Sequence, residues 1–484
     1  MFISGVKNPL AIILALLLLS TTSGSTNTDN TDTTNDTSSS IVEVEDNEEP
    51  ANLNTIKGYK SMINIENSKI GKVLDYHYLE KKDNVLYSPF SFDTAMGMLM
   101  SGADGKTLEE LNAYYGISDV NEKIALDREL VKYYRVLNVK DDKSEEPTDV
   151  SVGESGMVFE GPMGKGGYDR LKLYTANGLF INNGLPVKTT YTNSLKSNYK
   201  AELYSLDFKN ESKQSAKTIN KWVSENTQDK IKDIVNAESV KFSDAILVNT
   251  LYFKCPWQDE YSDNCVRDTE FANVKGNPVT VKGMYDYEEH QDYYEISTAK
   301  AFGKDYQGYY EATDDGSGLS YNFSFIGILP DESIIDENGD FNTSDIDIEK
   351  LIASKSNAYI VDSMMPKFKV EDSVSLVDFM KSNNVTSVFS PDTSELFKIC
   401  DPVDGEVLYV TGILQKVVVD VNEDGTEAAA ATAISMELGA AAPGGEEPEI
   451  KEVILDRPFM FLIYDNNMGT VLFSGKIVNL LEKE

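Results

Sequence analysis

Between Asn422 and Glu449 the chain reads NEDGTEAAAATAISMELGAAAPGGEEPE, and few folds have a place for such a segment. Five of the eleven residues from Glu427 to Glu437 are alanine, which first suggests a helix. Gly425 ahead of the run and Thr432, Ile434 and Ser435 within it speak against one, and Pro443-Gly444-Gly445 ends any regular element. Sorted with a period of two, Thr426, Ala428, Ala430, Thr432, Ile434 and Met436 share one face. Glu427, Ala429, Ala431, Ala433, Ser435 and Glu437 share the other. All the charge lies on the second face, and the first is apolar or threonine throughout. The side chains are small enough to slide between neighbours, and a charge on the core face would be costly to bury. The composition suits a mobile loop that can become a buried strand.

The rest of the chain supplies a body for such a loop. Its 484 residues can bury a full core, and three cysteines cannot staple a chain of this length. The spacing predicts a helix opening at Ser88, Pro89 and Ser91, with Ala95, Met96, Leu99 and Met100 on its apolar side. A second helix is expected from Thr107, with Thr107 as N-cap and Glu110 three residues on. An amphipathic helix is expected over 215–234, burying Ile219, Trp222, Val223, Ile231 and Ile234. Ala245 to Phe253 is almost continuously apolar, the mark of a strand covered on both faces. Further strands are expected at 321–329, 364–370, 408–421, 459–464 and 471–477, with a short helix at 374–380. Residues 137–166 are polar and Gly-rich and read as a surface insertion. No repeat and no linker divides residues 53–484, so one α+β domain with mostly antiparallel sheets is expected.

Residues 1–24 hold an apolar run, Leu10 to Leu19, behind Lys7 and ahead of small residues. About ten residues at 1.5 Å each span half a bilayer core, which fits an export signal better than a permanent anchor. Residues 25–52 are Ser/Thr/Asn/Asp-rich and offer little to bury, as a disordered tether would. The protein is therefore expected outside the cell, either secreted or tethered to the outer face of the membrane. A net charge of −36 repels phosphate backbones, so neither nucleic acid nor a heparin-like polyanion is expected as a partner.

Chemistry-bearing motifs are absent. The two histidines, His77 and His290, sit in no triad spacing and near no cysteine pair, so neither a nucleophilic site nor a metal site is expected. No nucleotide-binding or zinc-protease motif occurs, no cofactor is called for, and no enzymatic activity is indicated. Cys255 and Cys265 are close enough in sequence to close a small loop in an oxidising compartment, leaving Cys400 single. Trp222 and Trp257 read as core residues.

Several blocks together carry a resemblance to a known family. They are Asn84-Val85-Leu86-Tyr87-Ser88-Pro89-Phe90-Ser91, Gly102-Ala103 with Thr107, Ala176-Asn177, and Ile219-Asn220-Lys221-Trp222-Val223 with Thr227. Asn249-Thr250-Leu251-Tyr252-Phe253-Lys254 with Trp257, Pro366-Lys367-Phe368 and Arg457-Pro458-Phe459-Met460-Phe461 continue the series. With the stretch Asn422 to Thr432, their order over residues 60–482 resembles the serpin family. The resemblance implies three β-sheets, eight or nine helices and an exposed, insertable reactive-centre loop within 421–449.

It also implies a function. Such proteins trap a serine protease, or a cysteine protease, as a covalent acyl complex while the cut loop enters the main sheet as a new strand. They act as monomers. Glu423, Gly425, Thr426, Glu427, Ala428, Ala429, Ala430, Ala431 and Thr432 correspond to the inhibitory hinge. Counting on from Glu423 puts the reactive bond at Gly439–Ala440. The loop is longer than in compact members, so Leu438, Ala441 and Ala442 stay open as alternatives. None of the candidates is basic, which disfavours trypsin-like targets and favours elastase-like or subtilisin-like ones. Ser88, Ser91, Asn249, Trp257 and Gln415 correspond to residues that support the opening of the main sheet. Gln415 stands where relatives often carry a histidine. The alternative is a non-inhibitory relative that binds or carries without trapping.

Overall fold

The computed structural model describes residues 51–53, 56, 58–135, 137, 171–227, 229–312, 318–426 and 448–481. The export segment, the tether up to residue 50, most of the 137–166 insertion, residues 427–432 of the hinge and both sides of the expected reactive bond lie outside them.

The chain opens with helices α1 (Tyr59–Asn67) and α2 (Ile70–Lys81), then strand β1 (Val85–Tyr87) and helices α3 (Pro89–Gly102), α4 (Gly105–Tyr115) and α5 (Val120–Arg135). Next come β2 (Lys172–Asn182), α6 (Thr189–Ser194), β3 (Glu202–Leu206), α7 (Ser212–Asn226), α8 (Ala237–Lys241) and β4 (Ala245–Pro256). A strand-rich middle holds β5 (Val266–Phe271), β6 (Val279–Glu289), β7 (Tyr293–Ile296), β8 (Ala299–Asp305), β9 (Tyr309–Ala312), β10 (Gly318–Tyr321) and β11 (Phe323–Pro330). After α9 (Ile348–Ala353) follow β12 (Ile360–Pro366), β13 (Phe368–Ser375), α10 (Val377–Ser382), β14 (Gly412–Val421) and the two-residue β15 (Gly425–Thr426). The chain closes with β16 (Ile450–Ile454), β17 (Phe459–Asp465) and β18 (Val471–Ile477).

Among the described residues these strands make three large sheets and one separate hairpin, β9–β10. The main sheet runs β13-β14-β4-β2-β3, with β15 wedged between β14 and β4 at one end. A second sheet runs β1-β18-β17-β11-β8-β7, and a third runs β16-β12-β6-β5. Helix α3 lies in the interior: all its residues but Ser101 are buried. Most of its side chains are apolar, as suits a buried helix, and the buried Asp93 among them accepts the Tyr115 hydroxyl. Ser88 caps it as expected, its Oγ accepting the Ser91 N–H, and Pro89 at the first position loses no bond by lacking its own N–H. Strand β4 is buried at every position from Ala245 to Phe253, which is why its sequence shows no alternation.

Several expected boundaries move, each for a local reason. Helix α4 is capped by Asp104, not Thr107, because the chain turns at Gly105 with φ +44. Thr107 Oγ1 instead accepts the Glu395 N–H at 3.0 Å, and Glu110 accepts those of Thr386 and Ser387 at 2.8 and 2.7 Å. Helix α7 stops at Asn226, well before 234. Asp229 and Asp233 turn the chain into left-handed conformation, and Ile231 is buried by an irregular strap that crosses back over the sheet. The strand expected at 364–370 is two strands in different sheets, separated at Lys367 after Pro366. Helix α10 starts only at Val377 because Val374 and Ser375 are still laddered to Gln415 and Leu414. Strand β14 starts at Gly412, since Val410 N–H is bonded to the Val388 carbonyl outside the sheet. The strand expected from Tyr321 is split at Asn322, whose carbonyl accepts the Asn466 N–H.

Candidate functional site

The strands β4 and β14 are parallel and meet along a seam in the middle of the main sheet. They are laddered from Ile246↔Gly412 to Leu251↔Val417 and no further. Beyond that point β15 enters: Thr426 pairs with Cys255 and Val421, and Gly425 pairs with Pro256. The hinge therefore begins inside the sheet. The exposed loop expected within 421–449 therefore does not include Thr426, of which only 1% is exposed.

Three contacts hold those two residues there. The Thr426 hydroxyl shares a 2.6 Å hydrogen bond with the hydroxyl of Tyr306, which is itself buried. Gly425 has φ +155, and a Cβ on it would lie 2.3 Å from the Cys255 carbonyl oxygen, so no other residue fits. Asn422 closes the turn: its Oδ1 accepts the N–H groups of Asp424 and Gly425 at 2.9 and 3.2 Å. Thr426 reaches Tyr306 in the core behind the sheet, so it occupies the core-facing side that the period-two pattern assigned to it.

Trp257 is the scaffold of this mouth. Its Nε1 donates to the Asn422 carbonyl at 2.9 Å, its backbone N–H donates to that of Asp424, and its ring stacks on Tyr306 with centroids 4.5 Å apart. Tyr261 N–H donates to the Glu423 carbonyl at 3.0 Å. Glu423 also pairs with Lys367, at the break between the third sheet and the main sheet. Burial raises the Asp424 carboxyl above its usual range, and the adjacent Glu423 charge adds to the effect. Burial pushes Glu423 the same way, but hydrogen bonds, led by that from Lys367, hold it below its ordinary value.

Deeper along the seam, Gln415 is paired in register with Asn249. Its Oε1 accepts the Ser88 N–H at 2.7 Å and its Nε2 donates to the Ser88 carbonyl at 3.0 Å. Ser88 Oγ donates to the Leu472 carbonyl at 2.6 Å. One side chain thus ties the seam strand to the cap of the central helix and, through Ser88, to the second sheet. Gln415, Ser88 and Ser91 are all buried. Asn249 Nδ2 donates to Asn177 Oδ1 on the neighbouring strand.

The structure brings Gly425, Thr426 and Trp257 together at the mouth, and Gln415, Ser88, Ser91 and Asn249 beneath the seam. It does not join Cys255 to Cys265, and all three cysteines are free. Cys255 points into the core with its thiol toward the Gln307 carbonyl, 3.7 Å away, while Cys265 Sγ lies 3.3 Å from Ser262 Oγ. His77 bonds Asp372 at 2.9 Å within a buried structural pair, and His290 is an exposed turn residue with φ +65. The role of Tyr306 is invisible in the sequence, because the stretch around it has no periodicity and its partners lie 49 and 120 residues away in the chain (Trp257 and Thr426).

Comparison with known proteins matches this architecture. A family model described as Serpin (serine protease inhibitor) covers residues 72–480. Serpin-Z2A of Triticum aestivum is 28% identical over 401 residues, 82% of this chain and 90% of its own. An uncharacterized serpin-like protein of Thermococcus kodakarensis is 29% identical over 398 residues, 82% of this chain and 81% of its own. Among solved structures, Serpin48 of the insect Tenebrio molitor superposes with a TM-score of 0.67 at 25% identity, covering 87% of this chain and 99% of that one. Serpins are in general inhibitors of serine proteases and not themselves enzymes, and proteases are their usual partners. With the family model spanning most of the chain and the three sheets in place, this protein belongs to the serpin family.

Proposed function

We propose that this protein is an irreversible suicide-substrate inhibitor of elastase-like or subtilisin-like serine proteases. The observation that carries the reading is the seam itself: closed up to Leu251↔Val417, parted above, and already entered by Gly425 and Thr426. The target protease attacks the loop between Leu438 and Ala442, its serine oxygen bonding the scissile carbonyl carbon while the peptide nitrogen leaves protonated. The acyl-enzyme then competes between hydrolysis and insertion. Entry of residues 427 onward continues the ladder that Gly425 and Thr426 have begun, adding backbone hydrogen bonds to both β4 and β14. About fifteen residues at 3.3 Å each move the tethered protease on the order of 50 Å. The protease distorts, its oxyanion hole leaves the ester, and deacylation stops.

The absence of Lys or Arg between Glu423 and Lys451 favours a target with a small apolar pocket. Export by residues 1–24 places the inhibitor outside the cell, free or on the tether of 25–52. Mixing the protein with elastase or subtilisin tests the reading: trapping gives an SDS-stable adduct at the summed masses. A cleaved inhibitor with fully active protease would instead support a non-inhibitory role. Mass spectrometry of the released C-terminal fragment identifies the bond.

A further inference from the structure

Helix α7 lies over the main sheet, in contact with β2. Its Ala216, Ile219, Trp222 and Val223 belong to one hydrophobic cluster with Phe180 of β2, Ile246 and Val248 of β4 and Val418 of β14, so it helps cover the face of the sheet that holds both strands a new strand would part. The strap after it returns over the same sheet, burying Ile231 and Val235 in that cluster. Asn220 joins the two: its Nδ2 donates to the Val235 carbonyl at 2.8 Å and its Oδ1 accepts the Val235 N–H at 3.0 Å. Lys416 on β14 reaches up to the Lys232 carbonyl at 2.6 Å.

Between helix and strap lies an open cleft of about 520 Å³. Lys213, Lys217, Lys221 and Lys232 line it, with Asp233 the one carboxylate among its lining residues. The helical lysines recur every four residues and so form one row. Lys221 is paired with Glu225 at 3.2 Å, an exposed contact easily exchanged. Lys213, Lys217 and Lys232 have no carboxylate partner among the described residues, although carboxylates outnumber basic residues 80 to 44 in this chain. Residues 209–241 invert that ratio, with seven lysines against five carboxylates. A net negative field is screened beyond about 8 Å at physiological ionic strength, so the local sign governs a ligand in contact with the cleft.

We propose that this cleft is a binding site for a compact, multiply charged oxyanion, such as an oligophosphate, and that its occupancy slows strand entry. An anion bridging Lys217 on the helix and Lys232 on the strap fastens together the two elements that cover the sheet where β4 and β14 part. The expectation that polyanions are repelled, drawn from net charge, does not extend to so local a site. The effect on entry rests on the inhibitory reading above; the binding does not.

The experiment is calorimetric titration of the full chain with tripolyphosphate, against monophosphate and sodium chloride at matched ionic strength. Saturable binding of tripolyphosphate is expected, weakened about tenfold or more in Lys217→Gln/Lys232→Gln and unchanged in Lys350→Gln/Lys381→Gln. Absence of saturable binding, or equal affinity in the first double variant, overturns the site. In a second arm the loop is nicked and the gain in thermal resistance is followed over time. Tripolyphosphate should slow that gain severalfold in the native protein and not in Lys217→Gln/Lys232→Gln; an unchanged rate overturns the brake. If ligand-free protein gains no resistance on nicking, the inhibitory reading and the brake both fall, while the titration still decides the site.

Discussion

Replacing Thr426 by arginine tests the mouth of the sheet most directly. Thr426 is buried and hydrogen-bonded to an equally buried Tyr306. The substitution removes that bond and leaves the buried Tyr306 hydroxyl without its partner, at about 1–3 kcal/mol. It also asks a guanidinium to enter the core behind the sheet, at the buried Tyr306 that stacks on Trp257, a further cost of at least about 2 kcal/mol. Because Thr426 already lies in the sheet, the variant relieves this cost by holding the hinge out, and re-entry during insertion must then overcome at least about 3 kcal/mol. If roughly half of it is felt at the rate-limiting entry step, insertion slows about tenfold, at about 1.4 kcal/mol per factor of ten. Hydrolysis of the acyl-enzyme is untouched, so the ratio of cleaved to trapped inhibitor rises by the same factor. The assay is the band ratio of SDS-stable adduct to cleaved protein on titration with elastase or subtilisin. Thr426→Ser, which keeps the hydroxyl, should stay close to the native ratio, and loop cleavage rates should match across all three proteins. An arginine variant that traps as well as the native protein would refute the claim that Thr426 must lead a buried strand.

Other measurements probe the supports. Gln415 bonds Ser88 at both ends and has no charge to gain, whereas a histidine there loses its acceptor on protonation; Gln415→His should therefore show a fall in trapping below about pH 6.5 that the native protein lacks, read as adduct yield between pH 5 and 8. Trp257→Phe removes the bond to the Asn422 carbonyl and part of the Tyr306 stack, costing about 1–2 kcal/mol, and should free the hinge, seen as faster amide exchange at Gly425 and Thr426. Burial raises the Asp465 carboxyl to about 6 despite bonds from Met468 N–H, the Tyr134 hydroxyl and Asn467 N–H. The folded state then binds the proton more tightly than the unfolded chain, so this group's contribution is lost as pH rises from about 4 through 6, reaching roughly 3 kcal/mol at pH 7. In Asp465→Asn that slope should vanish from urea-unfolding stabilities measured across the window, and its persistence would assign the slope elsewhere.

The sequence by itself determined the parts whose physics is local. A continuous apolar run can only be a covered strand, and β4 is one. Ser-Pro before an apolar helix can cap it, and Ser88 does. The alternation after Gly425 assigns Thr426 to the core side, and the structure puts it there. The ordered blocks shared with the serpin family carried the architecture. Misplaced boundaries came from competition that no window of sequence contains: Val374 and Ser375 have helical neighbours but are claimed by Gln415 and Leu414, and Ile231 and Ile234 keep helical spacing although the helix ends at Asn226 and left-handed Asp229 and Asp233 interrupt the chain after it. The spacing of Cys255 and Cys265 suggested a bridge that strand geometry withholds, because the Cys255 side chain faces the core. Only the tertiary structure decided that the hinge starts inside the sheet. That outcome depends on Tyr306 meeting Thr426 and on Trp257 meeting Asn422, pairs separated by 120 and 165 residues. It also decided that lysines scattered among many acids gather around one cleft, since net charge is a sum over the chain and a binding site is a sum over a few ångströms.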